Sequence, residues 1–299
     1  MKPYFLDSEY PDASCEEAYF HVIPFPLEET VSYMGGTGQG PEAILEASGQ
    51  LEKLVDDLTE PGLLGIHTTE ALDCTHKGNV QEVFKKASKL VNRAFEQHAI
   101  PVMLGGEHSV TNASILALVK TFARGEVGIL QFDAHMDLRD TYEGSPFSHA
   151  CVMKRAVEAG IPLFQVGVRN YSREDLEARQ AFNVDHIDAH AIDTMKHSSG
   201  GLSQVSLPES FPKKLFITFD VDGFDASLMG STGTPDPGGL FWWDAIKLLD
   251  SLTRGRSIVG FDVVELAPNP LLAHGPYLSA KLVYHLMGLT AKRNGKYNE

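Results

Sequence analysis

The sequence predicts an α/β fold with a mostly parallel central sheet covered by helices on both faces, and two observations predict it. Short apolar, β-branched runs alternate along the 299 residues with amphipathic stretches of helical length, which is the order that strand-helix crossovers produce. Each run is also apolar at consecutive positions, so both faces of its strand are buried, as in a parallel sheet with helices above and below. In such sheets ligands collect at the carboxyl ends of the strands.

Six strands are expected, at Phe20 to Ile23, Pro101 to Leu104, Val127 to Phe132, Leu163 to Val168, Leu215 to Phe219 and Ile258 to Val264. Each is rich in Val, Ile, Leu or Phe, and all but the first, which runs into Pro24, are followed by a polar residue or glycine. Between them Asn79 to His98, Ser109 to Arg124, Ser172 to Phe182, Trp243 to Thr253 and Tyr277 to Lys292 repeat apolar residues every three or four positions and read as helices. No Pro, Gly or Ser linker, charge run or repeat divides the chain, so 1–299 reads as one domain.

Composition narrows the function. Forty acidic against 25 basic residues leave a formal charge of −15, which argues against nucleic acid and anionic membrane and suits metal ions or a cationic small substrate. Hydrophobic content of 43% with 22% charged residues is that of a globular chain, not a disordered one. There is no run of 18 apolar residues, and the segment after Met1 and Lys2 lacks a signal-peptide core. Cys15, Cys74 and Cys151 are odd in number and widely spaced. They suit a reducing compartment, and a cytoplasmic location is expected.

The unusual residues sit at strand ends. Gly105-Gly106-Glu107-His108-Ser109 follows one strand, Asp133-Ala134-His135-Met136-Asp137 a second, Asp220-Val221-Asp222-Gly223 a third, and Glu265 a fourth. Spacing of two within Asp133, His135 and Asp137, and within Asp220 and Asp222, projects each set toward one side of an extended backbone. Four carboxylates in one crevice repel unless cations neutralise them. With His108 and His135 they make six oxygen or nitrogen ligands and no thiolate, a set suited to two hard or borderline ions. Manganese is favoured, and iron or cobalt also fits. Such ions lower the pKa of bound water, so the pattern points to hydrolysis.

The strings GGEHS (105–109), DAHMD (133–137), SHA (148–150), TFDVDGFD (218–225), TGTPDPGG (232–239) and DVVELAP (262–268), with GTGQGPEAILEAS (36–48), resemble the ureohydrolases, the arginase and agmatinase family. The resemblance implies a three-layer α/β/α sandwich with an arginase-like parallel sheet and a centre of two Mn2+ per subunit that hydrolyses guanidino compounds to urea and an amine. It implies that His108, Asp133, Asp137 and Asp220 hold one ion and Asp133, His135, Asp220 and Asp222 the other. It further implies that His149 moves protons and protonates the departing amine, that Glu265 pairs with the substrate guanidinium, and that the subunits form trimers or hexamers. A guanidinium is a poor electrophile, so an activated nucleophile, an orienting carboxylate and an acid for the leaving nitrogen are the groups its hydrolysis needs.

Within the family the segment DAHMDLRDTYEGSPFSHA is most similar to bacterial agmatinases, which convert agmatine to putrescine and urea in polyamine synthesis or agmatine breakdown. Arg139 stands where arginases carry an asparagine. Asp140 and Glu143 are acidic loop residues that would favour a diamine, whereas Arg139 would favour a substrate with a carboxylate. Guanidinobutyrate or guanidinopropionate hydrolase, arginase and formimidoylglutamase therefore stay open, as do a catalytically silent homologue and a single-zinc deacetylase. Segments 226–231 and 269–276 depart from the family pattern without touching an expected ligand. The remaining histidines, among them His186, His190 and His197, read as loop or surface residues. Trp242 and Trp243 read as packing or a subunit contact, and the glycines from Gly35 to Gly40 lack the features of a nucleotide-binding loop.

Overall fold

The structure, a computed structural model, describes residues 3–75, 78–199 and 201–297. Its strands are β1 (Phe20–Phe25), β2 (Ile66–Thr68), β3 (Ile100–Gly105), β4 (Val127–Phe132), β5 (Leu163–Val166), β6 (Asp185–Ile187), β7 (Lys214–Asp220) and β8 (Ser257–Val264). They form one parallel sheet in the order β2-β1-β3-β8-β7-β4-β5-β6. The helices are α1 (Gly40–Ser48), α2 (Val80–Glu96), α3 (Thr111–Thr121), α4 (Val152–Glu158), α5 (Arg173–Ala181), α6 (Ala189–Met195), α7 (Trp242–Thr253) and α8 (His274–Arg293).

Alternation along each strand sorts its side chains into two layers. Phe20 and Val22, Val102 and Leu104, Leu130 and Phe132, and Ile217 and Phe219 point into one core, which α7 and α8 complete with Leu248, Leu249, Leu282 and Leu286. Ile23 and Phe25, Met103, Ile129 and Phe216 point the other way, into cores built with Val83, Phe84, Ala113 and Leu118 of α2 and α3 and Val152 and Met153 of α4. The double-sided burial read from the sequence is thus a sheet between two helical layers.

All six expected strands form. The differences are at short elements. β2 and β6 hold three residues each on the sheet edges, too few to display a period, and β6 is Asp-His-Ile with its first two residues exposed. Helices α1, α4 and α6 span nine, seven and seven residues and escape a search for long amphipathic stretches. For α1 the available signal was Pro41 in the first turn. The expected strand Leu163 to Val168 stops at Val166, where Gly167 takes a φ of 90° and turns the chain. Trp242 stacks near Phe224 at 6.2 Å between ring centres, while Trp243 is 67% exposed.

Register positions the site. Phe132 pairs with Phe219, and Phe219 with Val263, so β4, β7 and β8 end at one level. The residues that follow, Asp133, Asp220 and Glu265, are brought to the same edge, with β3 beside β8.

Candidate metal centre

β3 runs out at Gly105, and the turn that follows requires a glycine. A Cβ on Gly106 would lie 2.0 Å from the Leu27 carbonyl oxygen. In the space this leaves, Gly106 donates its N–H to the Phe25 carbonyl at 2.9 Å and accepts the Glu265 N–H at 2.8 Å. The turn carries Glu107 and His108 over the sheet edge into a 3-10 helix at His108–Val110. Glu265 and Asp137 both adopt left-handed backbone, with φ of 65° and 54°. A residue with a Cβ pays about 1–2 kcal/mol for that conformation, and such outliers gather at functional sites.

The sequence-predicted residues come together. His108 Nδ1 lies 3.2 Å from Asp133 Oδ2, 3.0 Å from Asp137 Oδ2 and 3.4 Å from Asp220 Oδ2. His135 Nδ1 lies 3.1 Å from Asp222 Oδ2 and 3.5 Å from Asp133 Oδ1. Donor atoms of His108, Asp133 and Asp220 fall within 4.8 Å of one another, and so do those of Asp133, His135 and Asp222, with Asp133 in both groups. Asp137 borders the first group through His108. Asp220 belongs to the first, and its Oδ1 accepts the Asp222 N–H at 2.9 Å. His186, His190 and His197 belong to neither.

Electrostatics shows what this crowding does. Burial and the neighbouring Asp222 and Asp133 hold the Asp220 carboxyl well above the usual carboxylate range. Burial and Asp133 likewise raise Asp137, and burial with Glu107 and Asp222 raises Glu265 against the His108 N–H. Asp133 goes the other way, because the two histidines beside it outweigh its burial. Burial opposes a charge on either histidine, yet the carboxylates hold His108 well above its ordinary value and push His135 up to about 12. Acids above their usual range beside bases above theirs indicate a pocket of negative charge in want of positive charge.

The residues fit a metal ion. His108 is buried and its Nε2 sits 2.8 Å from Thr218 Oγ1, while Nδ1 makes no hydrogen bond although three carboxylates surround it. A proton on Nδ1 would have no aligned acceptor, so the neutral ring carries its proton on Nε2 and turns a lone pair toward the acids. Adjacent ligands of a six-coordinate ion at about 2.1 Å stand about 3.0 Å apart, close to the spacings observed. Outer partners orient the set. Gln131 Nε2 donates to Asp133 Oδ2 at 2.7 Å, Gln165 Nε2 to Gln131 Oε1 at 2.6 Å, and Arg179 Nε to Gln165 Oε1 at 3.0 Å. Thr234 Oγ1 donates to Asp222 Oδ2 at 3.1 Å.

Sequence reasoning passed over these partners and also Thr30, Glu107, Arg169 and Asp262. For Gln131, Thr218 and Asp262 the signal was present, since each is a polar residue inside an otherwise apolar strand. Asp262 pairs with Thr218 in register; burial lifts its carboxyl to about 6, against the pull of His108 and the Thr218 and Thr111 hydroxyls.

A cavity of about 200 Å³ opens at the site, with His135, Asp137, Arg139, Tyr142, His149 and Thr234 in its wall. His149 begins the 3-10 turn His149–Cys151, its ring edge-on to Tyr142 at 5.9 Å. The Arg139 guanidinium covers the Tyr142 ring at 4.8 Å, with Nε 3.7 Å from Asp175. Asp140 is exposed and tied to Arg155 at 2.8 Å. Segments 226–231 and 269–276 pack on each other, Ser231 Oγ donating to the Leu272 carbonyl at 3.5 Å, and contribute nothing to the cavity wall.

Comparison with known proteins places this geometry. A family model described as the arginase family matches residues 18–288. The chain is 37% identical to an N(1)-aminopropylagmatine ureohydrolase of Thermus thermophilus over 95% of its length and 94% of the relative's, and 32% identical to an agmatinase of Pyrococcus horikoshii over 96% and 97%. The crystal structure of an agmatine ureohydrolase from Thermoplasma volcanium superposes with a TM-score of 0.82 at 27% identity, covering 99% of this chain and 96% of that one. The chain belongs to the arginase family, metal-dependent ureohydrolases that cleave the C–N bonds of amidino groups.

Proposed function

We propose that the chain, acting as one domain, hydrolyses agmatine to putrescine and urea at a centre of two manganese ions. The observation that carries this reading is the pair of donor sets joined at Asp133. His108, Asp133, Asp137 and Asp220 hold one ion, and Asp133, His135, Asp220 and Asp222 the other. When bound, the ions supply Lewis-acid activation of a water nucleophile.

The chain's own residues supply the remainder. Glu265 takes the substrate guanidinium; its Oε1 already accepts the His108 N–H at 2.6 Å, which fixes the carboxylate while leaving lone pairs on both oxygens for parallel hydrogen bonds. His149 gives a proton to the nitrogen that departs, so that a neutral amine leaves. Tyr142 and Thr234 shape the wall through which the alkyl tail passes. All three cysteines are free, which supports a reducing, cytoplasmic setting, and no helix among the described residues is long and apolar enough to cross a membrane. Exposed Phe241 and Trp243 suit a contact with a second subunit, and the trimer or hexamer is proposed on the family resemblance.

A second reading, a substrate bearing a carboxylate, is favoured by Arg139 in the cavity wall. The test is product formation by manganese-reconstituted protein offered agmatine, N(1)-aminopropylagmatine, arginine, 4-guanidinobutyrate and formimidoylglutamate in parallel, with urea and formamide scored separately. Urea from agmatine above the others supports the first reading. Turnover confined to the acids, lost selectively in Arg139→Ala, replaces it with the second.

A further inference from the structure

We propose that Thr30 and Glu107 are positioning residues that set the tautomer of His149. The inference rests on His149 acting as the proton donor described above. Thr30 Oγ1 stands 2.8 Å from Glu107 Oε1, 2.9 Å from the His149 backbone nitrogen and 3.2 Å from His149 Nδ1. Ser148 Oγ, at 3.4 Å from Nδ1, is more distant.

Hydrogen counting gives these contacts a direction. Glu107 is fully buried, and as a carboxylate it can only accept. It takes the Glu29 N–H at 2.6 Å, the Thr30 N–H at 2.5 Å, the Thr30 hydroxyl, and the Ser109 hydroxyl. Thr30 has a single hydroxyl proton, and Glu107 receives it. Toward His149, Thr30 Oγ1 can then only accept, and it accepts twice, from the backbone N–H and from Nδ1–H. The neutral ring is thereby held with its proton on Nδ1 and its lone pair on Nε2, the nitrogen left to collect and deliver a proton in the cavity that His149 lines. A buried carboxylate thus orders a hydroxyl, and the hydroxyl orders the imidazole.

The experiment compares wild type, Thr30→Ser, Thr30→Val, Glu107→Gln and His149→Ala, all full length and manganese-reconstituted. Thr30→Val removes the acceptor with little change of shape and should lower kcat roughly 10- to 100-fold, leaving KM and manganese content unchanged. Thr30→Ser should restore most of the rate. Glu107→Gln has one accepting oxygen for four donors, which frees the Thr30 proton to turn toward His149, and should lower kcat in the same way. In magnesium-loaded wild type, ring 15N shifts of His149 should show a protonated Nδ1 and a bare Nε2, and Glu107→Gln should erode that difference. Wild-type kcat in Thr30→Val, an Nε2–H ring in wild type, or failure of Thr30→Ser to recover a rate that Thr30→Val has lost would each overturn the inference. His149→Ala separates the two levels: if it keeps the wild-type rate, the assignment of His149 as proton donor falls; if it loses the rate while Thr30→Val keeps it, only the role of Thr30 falls.

Discussion

His108 Nε2 lies 2.8 Å from Thr218 Oγ1, and that one contact decides which face of the imidazole is offered to Asp133, Asp137 and Asp220. Thr218 is the polar residue of β7 two positions before Asp220 on the same face of the strand, so a single strand supplies both an acid and the support for the histidine opposite it. Removing the hydroxyl while keeping the shape, as in Thr218→Val, should weaken manganese binding about 10- to 100-fold with little change in melting temperature of the metal-free protein. Calorimetric titration with manganese measures it; unchanged affinity would mean that the packing around His108 suffices to hold the ring.

The raised acids predict how metal-free protein responds to pH. A group whose pKa is higher in the folded than in the unfolded state contributes stability below its unfolded value and loses it as pH rises through the folded one. Asp137, Asp220 and Glu265 are raised above 3.8, 3.8 and 4.5, and His108 and His135 above 6.5, the latter to about 12. All five therefore act in one direction. Asp133 is depressed below 3.8 and acts only at lower pH. Chelator-treated protein should melt at progressively lower temperature from about pH 5 to about pH 8, and the gain from added manganese should widen over that range because protons and metal compete for the same ligands. A constant gap across the range would count against metal binding at these residues.

His149→Ala and Glu265→Gln should separate chemistry from binding. Loss of the acid should depress kcat by roughly 10²- to 10⁴-fold with KM near the wild-type value. Loss of the carboxylate charge should raise KM as well, because the guanidinium loses its partner before the reaction begins. Steady-state kinetics on one guanidino substrate tests both, and matched effects on kcat and KM in the two variants would remove the distinction.

Arg169 ties the second donor group to its surroundings. Its guanidinium donates to the carbonyls of Asp222 at 2.6 Å, Phe224 at 3.1 Å, Asp236 at 2.8 Å, Pro237 at 3.1 Å and Gly167 at 3.1 Å. A lysine cannot span that fork, so Arg169→Lys should lower stability by about 2–4 kcal/mol and loosen manganese at the Asp222 side. Urea denaturation and metal content check the two parts. Wild-type stability would show that the loops hold themselves.

Gly106→Ala tests the turn that delivers His108. Its Cβ would meet the Leu27 carbonyl oxygen at 2.0 Å, a collision with backbone that cannot be relieved by a rotamer change. The expected result is a loss of at least about 3 kcal/mol or failure to fold. A stably folded variant that binds metal normally would mean that β1 and the segment after it can shift.

The sequence by itself determined the strand ends and the acids they carry. Runs apolar on both faces admit only a covered parallel sheet, and in that sheet Asp133, Asp220 and Glu265 must leave the strands at one edge. Spacing of two did not carry Asp137 and Asp222 with them on extended backbone. β7 ends at Asp220, Asp222 sits in the 3-10 turn Val221–Gly223 and donates its N–H to Asp220 Oδ1, and Asp137 is left-handed. Tight turns after the strands, not period-two geometry, aim these acids. Tertiary structure decided what local spacing cannot encode. It chose which nitrogen of His108 faces the acids, through a hydroxyl 110 positions away. It brought Thr30 to Glu107 and His149 across 77 and 119 positions, and made Arg139 a partner of Tyr142 and Asp175 where the sequence offered only an isolated cation. These relationships depend on the packing of loops from different strands, and a hydroxyl or guanidinium acquires its role there from the neighbours that the fold brings to it.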